Sequence, residues 1–203
     1  MVIFSNSLPA QSTYSSDNSM LVTAVNKEDK TVVRNAAQLK LNAEDWIISP
    51  PEEIFLEPSK YWIIEGGSIR VATQDEKDVI DFPELKIAKF IQLDSWWKSI
   101  EDTGITVQSP HIVLGVTPND ITLMNGVFTT AQSCVALGIK TQSDTFQLHD
   151  FYNEVHLFTL SQLTTILLSY SQQRSALHAT YKAKYRAIDA ATTKGQLDSI
   201  GIP

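Results

Sequence analysis

An α+β fold is predicted by three features of this 203-residue chain. Short apolar runs alternate with turn-forming stretches through the first half, as strands and loops do. Strand, helix, hairpin and a long helix follow one another in the second half. Thr73, Thr159 and Thr193 each stand three residues before Glu76, Gln162 and Gln196, the spacing at which an N-cap hydroxyl and an N3 side chain satisfy each other's backbone donors. With 43% hydrophobic and 19% charged residues, the chain has enough apolar material for one large or two small domains.

Residues 1–20 are rich in Ser and Asn behind a brief apolar start, Val2, Ile3 and Phe4. Such a segment buries too little to fold alone, so it reads as an extended N-terminal arm. Val2 and Phe4 fall on one side of an extended backbone and are candidates for adding to a partner's sheet.

Residues 21–105 read as a β-rich N-terminal domain. "MLVTAV", "TVVR", "WIIS" and "YWII" are its strands, separated by turn-forming and acidic segments. In "YWIIEGGSIRVAT", Gly66 and Gly67 supply the positive φ of a tight hairpin turn. The Thr73 box then opens a short helix through "KDVID". A second helix is expected near 83–100, with Asp81 as its cap, Pro83 in its first turn, and Ile87, Phe90, Leu93, Trp97 and Ile100 at helical spacing. Trp96 beside Trp97 implies that one indole faces away from that stripe. The polar "EDTGITVQSP" after it places a domain boundary between Asp102 and Pro110.

Residues 110–203 read as a small C-terminal α+β domain. "HIVLGV" is a strand, and Thr117 caps a helix with Pro118 at its first position, which Gly138 ends. "DTFQLHDFYNEVHLFT" reads as a β-hairpin, Phe146 and Leu148 on one side answered by Val155 and Leu157 on the return. A long helix follows near 160–189, on the order of 45 Å at 1.5 Å per residue. A short helical clasp near 194–200 turns Leu197 and Ile200 back onto the body.

Along the long helix Leu163, Leu167, Tyr170, Arg174, Leu177 and Tyr181 recur at alternating three- and four-residue spacings, with Arg174 interrupting the apolar seam. One small domain does not easily cover a helix of this length. Its second half is therefore expected to project or to meet another chain, which makes these six side chains candidates for partner binding.

A formal net charge of −7 argues against a phosphate-tracking surface and so against nucleic acid. The tail helix is nevertheless basic, carrying Arg174, Lys182, Lys184 and Arg186. The lone Cys134 excludes an internal disulfide and reads as a small core residue. The N-terminus lacks the features of a secretory signal and no apolar run suits a membrane span, so the chain is expected to fold in a cytoplasm. Chemistry-bearing groups gather only on the second hairpin, where His149, Asp150, Glu154 and His156 are close in sequence and opposing strands would bring the two imidazoles together. Zinc and similar ions need three or four ligands with supporting contacts, and no further ligand pair has suitable spacing, so no metal or cofactor is expected.

The stretches "AQSCVALG" (131–138), "HLFTLSQL" (156–163) and "AIDAATTKGQLDSI" (187–200) together resemble a family of tailed-phage proteins from the tail-fibre region that carry a C-terminal domain of unknown function. The resemblance covers roughly 110–202. The last stretch has one residue more between its threonines and leucine than the family pattern. "YWIIEGGSIRVATQDEKDVID" is similar to a segment common in short phage tail proteins. The resemblance implies a non-enzymatic structural component of a bacteriophage tail, a baseplate or tail-fibre connector in the virion, made in the bacterial host cytoplasm. It would bind tail-fibre or baseplate proteins, or further copies of itself as a homo-oligomer, with no nucleic acid and no membrane. Two alternatives stand beside it: a tail-fibre assembly chaperone, and a small tail-associated hydrolase using Asp150 or Glu154.

Overall fold

The computed structural model describes residues 21–38 and 41–203, and it is an α+β structure in two compact units, residues up to Asp81 and Phe82–Pro203. The expected arm, with Val2 and Phe4, lies outside the described residues.

In the first unit β1 (Leu21–Asn26) is the centre of a three-stranded antiparallel sheet, flanked by β2 (Val32–Ala37) and β3 (Trp46–Ile48). The turn after β1 is set by Asn26, whose side-chain oxygen accepts the amides of Glu28 and Asp29. β4 (Trp62–Glu65) and β5 (Ser68–Val71) form a separate hairpin. Its turn residues Gly66 and Gly67 have φ of 57° and 81°, the left-handed pair that a two-residue turn matching the strand twist requires. Val25, Ile47, Ile54, Trp62 and Ile69 form the core of this unit. Trp62 is held in it by donating its indole N–H to the Ile54 carbonyl at 2.6 Å.

α1 runs unbroken from Gln74 to Thr103. It begins where the sequence places a short helix, with Thr73 and Glu76 exchanging backbone amides through their side chains. The expected second start at Asp81 does not occur. Pro83 sits inside the helix, where its missing N–H costs one bond to the preceding turn without ending the element. The division between the units falls within α1, after Asp81, so the helix expected in the N-terminal domain contributes its residues from Phe82 onward to the second unit.

α1 ends at Gly104, whose φ is 72°. An added Cβ there would lie 2.8 Å from the Leu114 carbonyl oxygen, so only glycine lets the chain drop directly into the next strand. That strand, β6 (Ile105–Gln108), pairs with β7 (His111–Leu114) across a Ser109–Pro110 turn with a cis peptide. The expected boundary at 102–110 therefore cuts through a hairpin. Ile105 and Val107 are buried, and the alternation I-T-V-Q, masked by its polar neighbours, is the signal that marks it as a strand.

α2 (Pro118–Ala136) begins at a full capping box between Thr117 and Asp120, and Gly138 follows its end in the left-handed conformation. β8 (Thr145–His149) and β9 (Val155–Thr159) form the second expected hairpin. α3 (Leu160–Ala190) opens at the Thr159–Gln162 box, and α4 (Lys194–Asp198) at Thr193. At α4 the expected reciprocity is shifted: Thr193 accepts the Gln196 amide, while the Gln196 side chain takes the amide of Thr192.

The second unit has two apolar clusters. One joins β6, β7, α2, the β8–β9 hairpin and the first half of α3 around Leu114, Phe146, Phe158, Leu163, Ile166 and Tyr170, with Cys134 packed at its edge. The other joins α1 to the second half of α3 and to α4 through Leu93, Ile188, Ala191 and Leu197. α1 and α3 run antiparallel here, since Lys86 meets Asp189, Phe90 meets Tyr185, Asp94 meets Tyr181 and Trp97 meets His178. Lys86 donates to the Asp189 carbonyl at 2.6 Å, placing a cation at the negative end of α3. Trp97 packs against His178 and Tyr181 of α3, and Trp96 against the cluster around Leu93, Ile188 and Leu197, so both indoles are half-buried. The expected α1 stripe departs at Ile87, which is 61% exposed.

Candidate functional site

The β8–β9 hairpin has two faces, and its register decides which residues each one shows. Phe146 lies opposite Phe158 and Leu148 opposite His156; Gln147 lies opposite Leu157 and His149 opposite Val155. Phe146, Leu148 and Phe158 enter the core, whereas Val155 and Leu157 are 53% and 59% exposed. This reverses the expectation that Val155 and Leu157 answer Phe146 and Leu148. A change of one residue in a connection moves every following side chain to the other face, and the connection here is fixed by Asp150. One of its carboxylate oxygens accepts the amides of Tyr152 and Glu154, at 2.9 and 2.8 Å. The amide of Phe151 donates to the Val113 carbonyl, tying the connection to β7.

Beside the outer face lies a shallow groove of about 410 Å³ between α2 and β8, lined by Thr122, Leu123, Gly126, Val127, Thr130, Phe146 and Gln147. Gly126 keeps it open, having no atoms near where a side chain would stand. Leu123 is 61% exposed on its rim. Gln147 lines the groove and also pairs across the strands with Leu157, so it stands between the groove and the outer hairpin face. Tyr152 is exposed at the hairpin tip.

The six candidates on α3 are placed differently from the expectation. Leu163 and Tyr170 are buried in the unit's own core, and Leu167 and Leu177 pack against it. Tyr181 joins the second cluster and donates its hydroxyl to Asp94 at 2.7 Å. The stripe is thus internal packing and offers a partner little surface. The physical reason is α1, whose residues from Phe82 onward belong to the same unit and lie along the second half of α3, covering it. Arg174 is half-buried, and its Nε has no hydrogen-bond partner among the described residues.

Tyr170 donates its hydroxyl to the Gly115 carbonyl at 2.8 Å. Burial first, and the Asp120 carboxylate second, push its phenol up to about 12 against an opposing effect of Arg174. On Tyr181 the hydrogen bond to Asp94 leads, with burial behind it, and the phenol again rises to about 12.

The expected meeting of two imidazoles does not occur, because His149 and His156 project from opposite faces of the hairpin. His149 pairs with Asn153, and His156 with the second carboxylate oxygen of Asp150 at 3.2 Å. Asp150, Glu154 and His156 do converge, each offering one ligand atom within 4.8 Å of the others. Burial pushes the Asp150 carboxyl up, but the Glu154 amide, the His156 ring and the Tyr152 amide outweigh it and hold the group below its ordinary value. Among the described residues, no helix is long and apolar enough to cross a membrane. In comparison with known proteins the chain matches no family model, no curated protein and no solved structure.

Proposed function

We propose that this chain is a non-enzymatic structural component of a bacteriophage tail, a baseplate or tail-fibre connector that acts by holding neighbouring proteins. The observation that carries the reading is the set of exposed aliphatic side chains on the second unit: Val155 and Leu157 stand out from the hairpin, and Leu123 rims the groove between α2 and β8. Large aliphatic side chains left exposed on neighbouring elements are the kind of surface that a protein partner covers. The groove has no convergent set of nucleophile, base and oxyanion donors: threonines, aliphatic side chains, one phenylalanine and one glutamine line it. Such a lining suits an extended segment or helix face of a partner better than it suits chemistry on a small substrate. The phage assignment itself rests on the resemblance of residues 110–202.

A second reading, a tail-fibre assembly chaperone, is favoured by one feature. The exposed aliphatic side chains lie on a single hairpin and its neighbouring helix, and a chaperone needs only one surface. Quantitative mass spectrometry of gradient-purified virions separates the two. A fixed ratio to the fibre subunit is expected for the connector. Absence from virions together with a fibre complex in the infected cell would establish the chaperone, and absence from both would overturn the tail assignment.

A further inference from the structure

We infer that the tip of the β8–β9 hairpin is a binding site for a divalent transition-metal ion, with Asp150, Glu154 and His156 as its protein ligands. The three contribute ligand atoms that all lie within 4.8 Å of one another. Asp150 Oδ2 and His156 Nε2 are 3.2 Å apart. An ion about 2.1 Å from each would see them at roughly 100°, close to a tetrahedral angle. Glu154 is exposed, so its carboxylate can close on the ion by rotation of its own side chain, leaving a fourth position to water.

The surroundings fit a ligand set better than a plain turn. Asp150 divides its work: Oδ1 accepts the Tyr152 and Glu154 amides, which orients the carboxylate and turns Oδ2 toward His156 Nε2, where an ion would take the place of their shared proton. Its side chain is only 7% exposed, so the oxygen is held in place rather than averaged by solvent. His156 stacks on Phe158 with the rings 9° from parallel, which fixes the imidazole plane. Ligands oriented in this way by hydrogen bonds and packing are characteristic of metal sites. An Asp–His pair alone would brace the turn without Glu154. A second carboxylate beside the first adds like-charge repulsion, which a cation removes. One imidazole with two carboxylates suits Zn²⁺, Co²⁺ or Mn²⁺ better than Mg²⁺ or Ca²⁺, which prefer oxygen alone. An ion there would clamp the start of β9 to the connection that carries Tyr152.

The test is calorimetric titration of the chelator-stripped full chain with Zn²⁺. Saturation at one ion per chain is expected, together with a raised melting temperature. Glu154→Gln changes an exposed side chain and keeps the fold, which circular dichroism checks; it should weaken binding at least about tenfold, as should His156→Ala, given the 10- to 100-fold cost usual even for partners that only support a ligand. His149→Ala, on the opposite face, should bind as the parent does. The site is overturned if the parent shows no saturable binding, if Glu154→Gln binds unchanged, or if His149→Ala weakens binding as much as His156→Ala.

Discussion

The two faces of the β8–β9 hairpin both carry large apolar side chains and do opposite work. The inner face presents Phe146, Leu148 and Phe158 to α2 and α3, and all three are buried. The outer face carries Val155 and Leu157 with Gln147 and His149, and more than half of each aliphatic side chain meets solvent. Residue type alone would not separate Leu148 from Leu157; the register set by the Asp150 turn does. Apolar character on a two-sided hairpin therefore means core on one side and an unfilled surface on the other. Substitutions on each face turn that contrast into measurements.

The largest effect belongs to the inner face. Phe158→Ala removes a ring that is 7% exposed, and large-to-small changes of this kind cost about 3–5 kcal/mol through lost burial and the cavity left behind. Chemical denaturation of the two proteins should show that loss. A cost under about 0.5 kcal/mol, the level of a surface change, would mean that Phe158 does not face the core and that the strands pair in another register.

That register also shows what was legible in the sequence. Helix starts were, because Thr117, Thr159 and Thr193 act through neighbours three residues away and need no tertiary context. The Gly66–Gly67 hairpin and the long α3 were legible for the same reason. The phase of β9 was not, since it depends on how Asp150 folds the connection. The cover of α3 was not either. Its stripe of Leu163, Leu167, Tyr170 and Leu177 was visible as a seam, but periodicity shows that a face is buried and not what buries it. The covering element, α1 from Phe82 onward, reads as part of the N-terminal domain because the polar stretch after it looks like a boundary, whereas that stretch holds β6 with Ile105 and Val107 buried in the second unit. Of the candidate site, the crowding of Asp150, Glu154 and His156 was visible in order; the separation of His149 to the far face required the strand pairing.

A smaller effect is expected at Tyr170, which joins α3 to the end of β7 beneath the inner face. Tyr170→Phe leaves the ring in place and deprives the Gly115 carbonyl of its buried donor, a loss of about 1–3 kcal/mol. The pH dependence identifies the cause. The phenol titrates near 12 in the fold against 10.0 for a free tyrosine. A raised folded value means that its stabilisation is complete below pH 10 and is lost as the pH climbs toward about 12. The parent protein should lose stability across that window, and Tyr170→Phe should lack this contribution. Equal alkaline slopes in the two proteins would show that Tyr170 is not the group responsible.

The smallest effect on stability, and the most telling for function, belongs to the outer face. Leu157→Ser with Val155→Thr replaces two aliphatic side chains that the fold leaves more than half exposed. Threonine keeps the β-branched shape that suits a strand, and surface changes of this kind stay within about 0.5 kcal/mol each. The denaturation midpoint should therefore hardly move, while under the proposed role capture of fibre or baseplate proteins by the purified chain should fall, because the polar replacements remove apolar area that a partner would cover. An unchanged capture would remove the hairpin from the interface and leave the groove at Leu123 to be tested alone. A stability loss approaching that of Phe158→Ala would say something different: that the chain itself covers this face, and that the two sides of the hairpin are both core.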